Sequence, residues 1–480
     1  MIATRRNRSR KYSDRNSNRQ LGILMSNETL VSQLATWVLS IKSSEIPPEV
    51  MTQAKLLMLD SLGCAIAAQN ENAFTAGLAA IREVGGKPDC MVIGTRERTS
   101  LPNAVLLNGI LIRALDLNDL YVGPRQNGHP SDNLAVAFSF AEWQASSGEE
   151  LLTAMVVGYE LYGRLQDLSD PNSPWDHVTV SSLVAPAIAG RLLKWNTGQL
   201  ANAMALSAAH GNTLAAVRFG QLSSAKNLAN AAVAYNATIA TLLAKHGLTG
   251  PLGVLEGPRG LGQAVFSNAD LSALVQPFAV PLRLMNVSIK AYPCIGTAQT
   301  AVAAALQARR RIQDASKIES ITLRMANIPF VKHQLQDAER RYPRTRETAD
   351  HSFYYLVAAA LLDGDVSVEG FKKERWTEAA VTALMERMTI VADDRLNLHT
   401  PGTFPCVLEY TTQTGEAGTV EVIHAPGSAK NRMSKAQVEE KFHNSCGVIL
   451  KAGERDKIIE QVENLERLDS VTSLMSSLQS

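Results

Sequence analysis

Residues 108–132 read NGILIRALDLNDLYVGPRQNGHPSD, and this stretch organises the rest of the chain. It begins as an apolar helix and turns abruptly polar at Asp116, with Asn118 and Asp119 close behind. A Gly-His-Pro turn follows, in which Pro130 restricts the backbone just after His129. A second helical run, LAVAFSFAEW, starts at Leu134, with Ser131, Asp132 and Asn133 available as N-caps. Two helices thus pinch a loop that carries carboxylates and one imidazole. That arrangement builds a small-molecule site, or else a capped helix end and a surface histidine.

Working outward, the helical pattern dominates. An amphipathic run covers 28–41, and a helix starting at the Pro47-Pro48 pair runs through VMTQAKLLMLDSLGCAIAAQ with many small residues at its end. CMVIG (90–94) has the composition of a short strand. Helices are expected over 151–165, over 181–195 despite Pro186, over 198–210, and over 225–246, closed by Gly247. Past about residue 284 the character changes. IESITLRMA (318–326) and MTIVAD (388–393) read as strands, and CVLEYTTQTGEAGTVEVIHA (406–425) as a hairpin turning at Gly415. Helical runs return after 432. The expected division is a basic disordered arm over 1–25, a helical unit over 26–285, an α+β unit over 286–425, and a return to the helical unit over 426–480.

Composition bounds the function. Of 480 residues, 45% are hydrophobic and only 5% aromatic, which suits a large core of packed helices. Residues 1–24 hold seven Lys or Arg against Asp14 alone, so this arm carries +6 and the net charge of +1 leaves the remainder at −5. A mildly acidic body gives no support to nucleic-acid binding. The Arg- and Ser-rich arm lacks the apolar face of a transit peptide, and Met25 opens a natural helix start, so an upstream extension or a disordered arm is expected. No apolar run of about 18 residues stands out, so no membrane span is expected. Cys64, Cys90, Cys294, Cys406 and Cys446 are scattered without a CxxC pair, which argues against zinc and iron–sulfur sites and fits a reducing, cytoplasmic setting.

Candidate chemistry lies in four further patches. His177, in PWDHVT, either fills a helix junction or faces a site. Lys226 enters an otherwise apolar helix, where it meets an anion or snorkels to solvent. Arg218, in the loop just before it, offers a bidentate fork for a carboxylate. Lys290, Tyr292 and Cys294 stand in IKAYPCIG, at the junction of the two units. Asp350-His351-Ser352 opens a helix, where capping explains the aspartate. There is no HExxH, EF-hand loop, P-loop, GxGxxG or nucleophile elbow. What remains is acid–base chemistry by His, Asp and Lys around an anionic substrate, with no metal and no cofactor.

LDSLGCAIAA, NGILIRALDLNDLY, GHPSDN, DHV, AKHGLTGP, LEGPRGL, IKAYPC and DHSFYYLVAAALLDG occur in this order. Together they resemble the MmgE/PrpD family, which includes 2-methylcitrate dehydratase, cis-aconitate decarboxylase and iminodisuccinate epimerase. The resemblance implies a mainly α fold, with a large all-helical domain formed by both chain ends and a smaller inserted α+β lid. It also implies a homodimer and a cofactor-independent lyase for a di- or tricarboxylate, most simply a hydro-lyase. Asp116, His129, His177 and Lys226 match the family's catalytic positions. Arg218, Lys290, Tyr292 and Arg125 are the expected substrate contacts, with Lys226 stabilising the enediolate that forms when a proton leaves the carbon beside a carboxylate.

Two positions depart from the family pattern. Leu120 stands where the dehydratases carry threonine, and Ile295 where a carboxylate or histidine often follows the Tyr-Pro step. Extra length, including Arg125, separates Asp119 from His129. These changes keep an epimerase, a decarboxylase and a catalytically silent binding or scaffold protein open as alternatives.

Overall fold

The computed structural model describes residues 28–267 and 269–479, and the basic arm lies outside the described residues. Among the described residues the fold is 58% helical and 10% strand, with three small sheets. The expectation of an all-helical large unit is therefore corrected. Cys90–Met91 pairs with Arg98–Thr99, and Leu120–Val122 pairs on one edge with Asn127–Gly128 and on the other with Val287–Ser288. Cys90–Met91 falls in the stretch 90–94 expected as a strand; the others span too few side-chain alternations to be read as strands in a sequence.

Among the described residues two large hydrophobic cores stand out beside two small clusters. One collects residues from Val31 to Ile289 and again from Val438 to Leu478; the other runs from Cys294 to Val422. In the second, a four-stranded sheet is ordered Met388–Asp393, Ile318–Ala326, Cys406–Thr412, Ala417–Val422, the first pair parallel and the others antiparallel. These strands match the stretches read from their β-branched composition, and Gly415 turns the hairpin at φ +84°. The helices Gln299–Arg309 and Phe353–Asp363 pack together beside the sheet, the first directly against the hairpin.

Close backbone approach positions the site. A Cβ on Gly109 would lie 2.9 Å from the Ala231 Cβ, so the helices Leu101–Arg113 and Ala225–Lys245 touch where neither has a bulky side chain. This contact brings Lys226, in the first turn of one, beside Asp116, just past the end of the other. The C-terminal segment returns in the same way. Gly148 N–H donates to the Leu468 carbonyl, and a Cβ on Gly148 would fall 1.7 Å from the Leu465 carbonyl oxygen.

The helix Pro48–Ala67 is long and apolar enough to cross a membrane by length and composition, which the reading of apolar runs missed. It is nevertheless a core helix. Of its apolar stretch 67% is buried, Gly63 packs on Phe442 of the helix Lys435–Cys446, and buried Asp60 pairs with Lys441 at 2.5 Å.

Candidate active site

Asp116 is the hub. Its backbone takes a left-handed φ of +51°, and its side chain is 1% exposed. Arg113 Nη1 reaches Oδ1 at 2.6 Å, Lys290 Nζ reaches the same atom at 2.5 Å and the main-chain oxygen at 2.9 Å, and Lys226 Nζ reaches Oδ2 at 3.3 Å. Burial disfavours its charged form, but Arg113, Lys226 and Lys290 outweigh burial and hold the carboxyl well below the usual range. Asp350 is the second anion. It accepts from Lys226 at 3.0 and 3.2 Å and from Arg346 at 3.2 Å, and it contacts His351 Nδ1. A fully buried ion network of this kind is stable only while it stays balanced.

The other polar residues of the focal stretch build a frame. Asp119 Oδ1 accepts from the Ser131 N–H at 3.2 Å and its hydroxyl at 2.6 Å, while Asn118 donates to Ser131 Oγ and Asp132 Oδ1. Burial pushes the Asp119 carboxyl up to about 7 and that of Asp132 to about 6. None of the three proposed N-caps makes a capping bond to the following helix: the frame claims Ser131 and Asp132, and Asn133 Nδ2 donates to the Pro130 carbonyl.

His129 Nδ1 lies 2.6 Å from the Asp119 carbonyl oxygen. A carbonyl only accepts, so Nδ1 carries the hydrogen and Nε2 keeps its lone pair. Burial, then Arg113 and Lys290, hold this histidine neutral, well below its ordinary pKa. His177 stands edge-on at 6.0 Å between ring centroids. Its Nδ1 is 3.2 Å from Asp176 Oδ1, its Nε2 is buried without a partner, and burial lowers its pKa to about 4 although Asp176 opposes that shift. Asp176 stays ionised, at about 2, because Arg218 clamps it with Nε at 2.7 Å and Nη2 at 3.1 Å, outweighing burial.

These groups face a cavity of about 200 Å³ whose wall includes Arg113, Asp116, His129, His177, Arg218, Arg340 and His351, closed on an apolar side by Leu120 and Ile295. Its volume lies below the usual span for drug-sized ligands, which suits a small acid. The two apolar departures are thus wall residues. Leu120 presses on Gly296, where a Cβ would sit 2.3 Å from the leucine Cδ2.

Placement corrects several expectations. Lys226 is 0% exposed and stands behind Asp116, Asp350 and His351, outside the cavity wall, with its ammonium on the two acids. Lys290 spends its ammonium on Asp116, and Arg218, on the cavity wall, forks Nε and Nη2 onto Asp176. Tyr292 packs against the second core, and Arg125 is exposed; neither lines the cavity, which takes Gln126 and Asn127 from the same loop. Asp116, His129 and His177 do meet there. Not assigned to the site from the sequence were Arg113, whose signal was a lone cation in an apolar helix three residues before an aspartate, and His351, which follows the Asp350 read as a cap; Ser352 caps that helix instead. Asp116, Asp350 and His351 also converge closely enough to suggest a metal. The ammonium groups of Lys226 and Lys290 already occupy those oxygens, so the donor set does not fit one.

Models of the MmgE/PrpD N-terminal domain and the MmgE/PrpD C-terminal domain match residues 32–274 and 292–467. The chain belongs to the MmgE/PrpD family. Among family members, human cis-aconitate decarboxylase is 25% identical over 94% of this chain and 95% of its own length. A fungal alkylcitrate dehydratase is 28% identical over 84% of each chain. The 2-methylcitrate dehydratase of Escherichia coli is 26% identical over 71% of this chain and 73% of its own.

Proposed function

We propose that the protein is a lyase of this family, a hydro-lyase that removes water from a di- or tricarboxylate by proton abstraction beside a carboxylate, with no cofactor. The observation that carries this reading is the pair of neutral histidines in unequal surroundings on one small cavity. His129 has a fixed tautomer, a free Nε2 and no carboxylate partner, which makes it the base. His177 has Asp176 on its far nitrogen. A bound polyanion favours its imidazolium, and Asp176 supports that charge, so His177 is the acid that protonates the departing hydroxide. Arg113 lies on the wall where enediolate charge develops.

Decarboxylation has one observation of its own in its favour, the near full-length match to cis-aconitate decarboxylase. Nuclear magnetic resonance in D₂O separates the two, with 2-methylcitrate, citrate, cis-aconitate, isocitrate and substituted succinates as the panel. Dehydration gives a new vinyl or methyl-vinyl signal from a hydroxy acid. Decarboxylation gives bicarbonate and deuterium on the carbon that lost it. No change in any panel member, or an unchanged rate in His129→Gln, overturns the lyase reading.

The protein is further proposed to act as a homodimer. On the helix Ala225–Lys245 a stripe of Leu228, Tyr235, Ile239 and Leu243 faces outward, with both leucines exposed. Sedimentation giving a monomer at micromolar concentration refutes this.

A further inference from the structure

Arg340 is 2% exposed and lines the cavity. Its Nη2 donates to the Arg218 carbonyl at 3.1 Å, and its Nε comes only within 3.5 Å of Asp337 Oδ2. Nη1 is buried and has no partner, and Nε makes no hydrogen bond. A guanidinium has five N–H donors and loses much hydration on burial, so one carbonyl bond and a distant carboxylate leave it undersatisfied. The other two arginines of the wall are each tied to a carboxylate. Arg113 is paired with Asp116 through Nη1, and Arg218 is forked onto Asp176. A second unsatisfied group lines the same cavity: the Thr297 hydroxyl is buried without a partner, in the turn Gly296–Ala298 that leads into the helix Gln299–Arg309.

We propose that Arg340 and Thr297 form the seat of a second substrate carboxylate, remote from the carbon that loses its proton, so that the site selects acids with three carboxylates over those with two. This rests on the lyase reading and deepens it. Arg340 donates through Nη1 and Nε, and Thr297 through its hydroxyl. Burial already weakens Arg340's hold on its proton, with Asp337 and Asp350 opposing that only in part, and an arriving carboxylate restores the missing counter-charge. Ile295 and Leu120 close the apolar side of the same cavity.

The test uses two unreactive probes on the full chain, propane-1,2,3-tricarboxylate and 2-methylsuccinate, which lacks one carboxylate. Titration calorimetry on the wild type is expected to give tighter binding of the tricarboxylate. Arg340→Met should weaken it by on the order of 100-fold while changing 2-methylsuccinate less than about 3-fold. Arg340→Lys should recover part of the loss, because it restores charge without the fork. Thr297→Val provides a second route should Arg340→Met fold poorly, with roughly 10-fold weakening confined to the tricarboxylate. Equal losses for both probes, no loss in any variant, or a wild type that does not prefer the tricarboxylate would overturn the subsite. Selective binding without turnover of any panel acid would leave the subsite standing and remove the lyase. Turnover with unselective binding would do the reverse.

Discussion

Asp116→Asn should strand Lys290. That ammonium is 1% exposed, and its hydrogen bonds go to the carboxylate and main-chain oxygen of this one residue. Arg113 keeps Asn118 and Lys226 keeps Asp350 after the change, so the unbalanced charge falls mainly on Lys290. Removing one partner of a buried pair costs about 3–5 kcal/mol, a large share of the ~5–15 kcal/mol that holds a typical protein together. Lys290→Met alone leaves Asp116 with Arg113 and Lys226 and should cost about 1–2 kcal/mol. The double variant removes both charges, so it should be about 2–3 kcal/mol more stable than the sum of the singles predicts. Urea unfolding followed by the fluorescence of the five tryptophans measures all four proteins. Strictly additive losses would refute the coupling. Unchanged stability with a raised KM in Lys290→Met would show that this lysine holds substrate instead of Asp116.

Three further outcomes follow from the geometry. His177 falls from 6.5 to about 4 on folding, so the unfolded chain binds its proton first and stability is lost as pH falls from 6.5 towards 4. At pH 5 this amounts to about 2 kcal/mol, and His177→Gln should lose that much less stability than wild type between pH 7 and pH 5; parallel curves would count against a buried neutral imidazole. In Gly148→Ala the new Cβ meets main-chain atoms of residue 465, so a loss of roughly 3 kcal/mol or more and faster proteolysis of the C-terminal segment are expected, and wild-type resistance would contradict the contact. In Gly296→Ala the atoms nearest the new Cβ all belong to the Leu120 side chain; a loss of about 1–3 kcal/mol should be relieved by adding Leu120→Ala, and failure of that rescue would place the strain elsewhere.

Periodicity and composition made the long elements legible. The strands Ile318–Ala326 and Met388–Asp393 and the helix Ala225–Lys245 come within a residue of the stretches read from the sequence. Cys90–Met91 falls in the stretch read as a short strand, but its partner Arg98–Thr99 and the paired segments at 120–128 did not show, since their order comes from a partner strand or a turn and not from a pattern within them. The membrane length of Pro48–Ala67 was overlooked because Asp60 and Ser61 interrupt its apolar run, and both are buried inside the protein.

Assigning cations was harder, for a reason that lies in the chemistry of charge. A lysine entering an apolar helix must find an anion, and the sequence does not say whether that anion is a substrate or an aspartate brought from 110 or 124 residues away. For Lys226 and Lys290 the protein itself supplies it. The run ERRYPRTRE has the opposite difficulty, because six charges in nine residues look like a solvated surface. Within it Arg341 lies over the Tyr354 ring and Arg346 pairs with Glu71 and Asp350, while Arg340 is buried with a donor to spare. Burying a cation without its counter-charge weakens the fold unless a ligand supplies that charge later. The sequence showed where the protein satisfies its own charges least clearly of all, and that imbalance at Arg340 is what points to a second carboxylate.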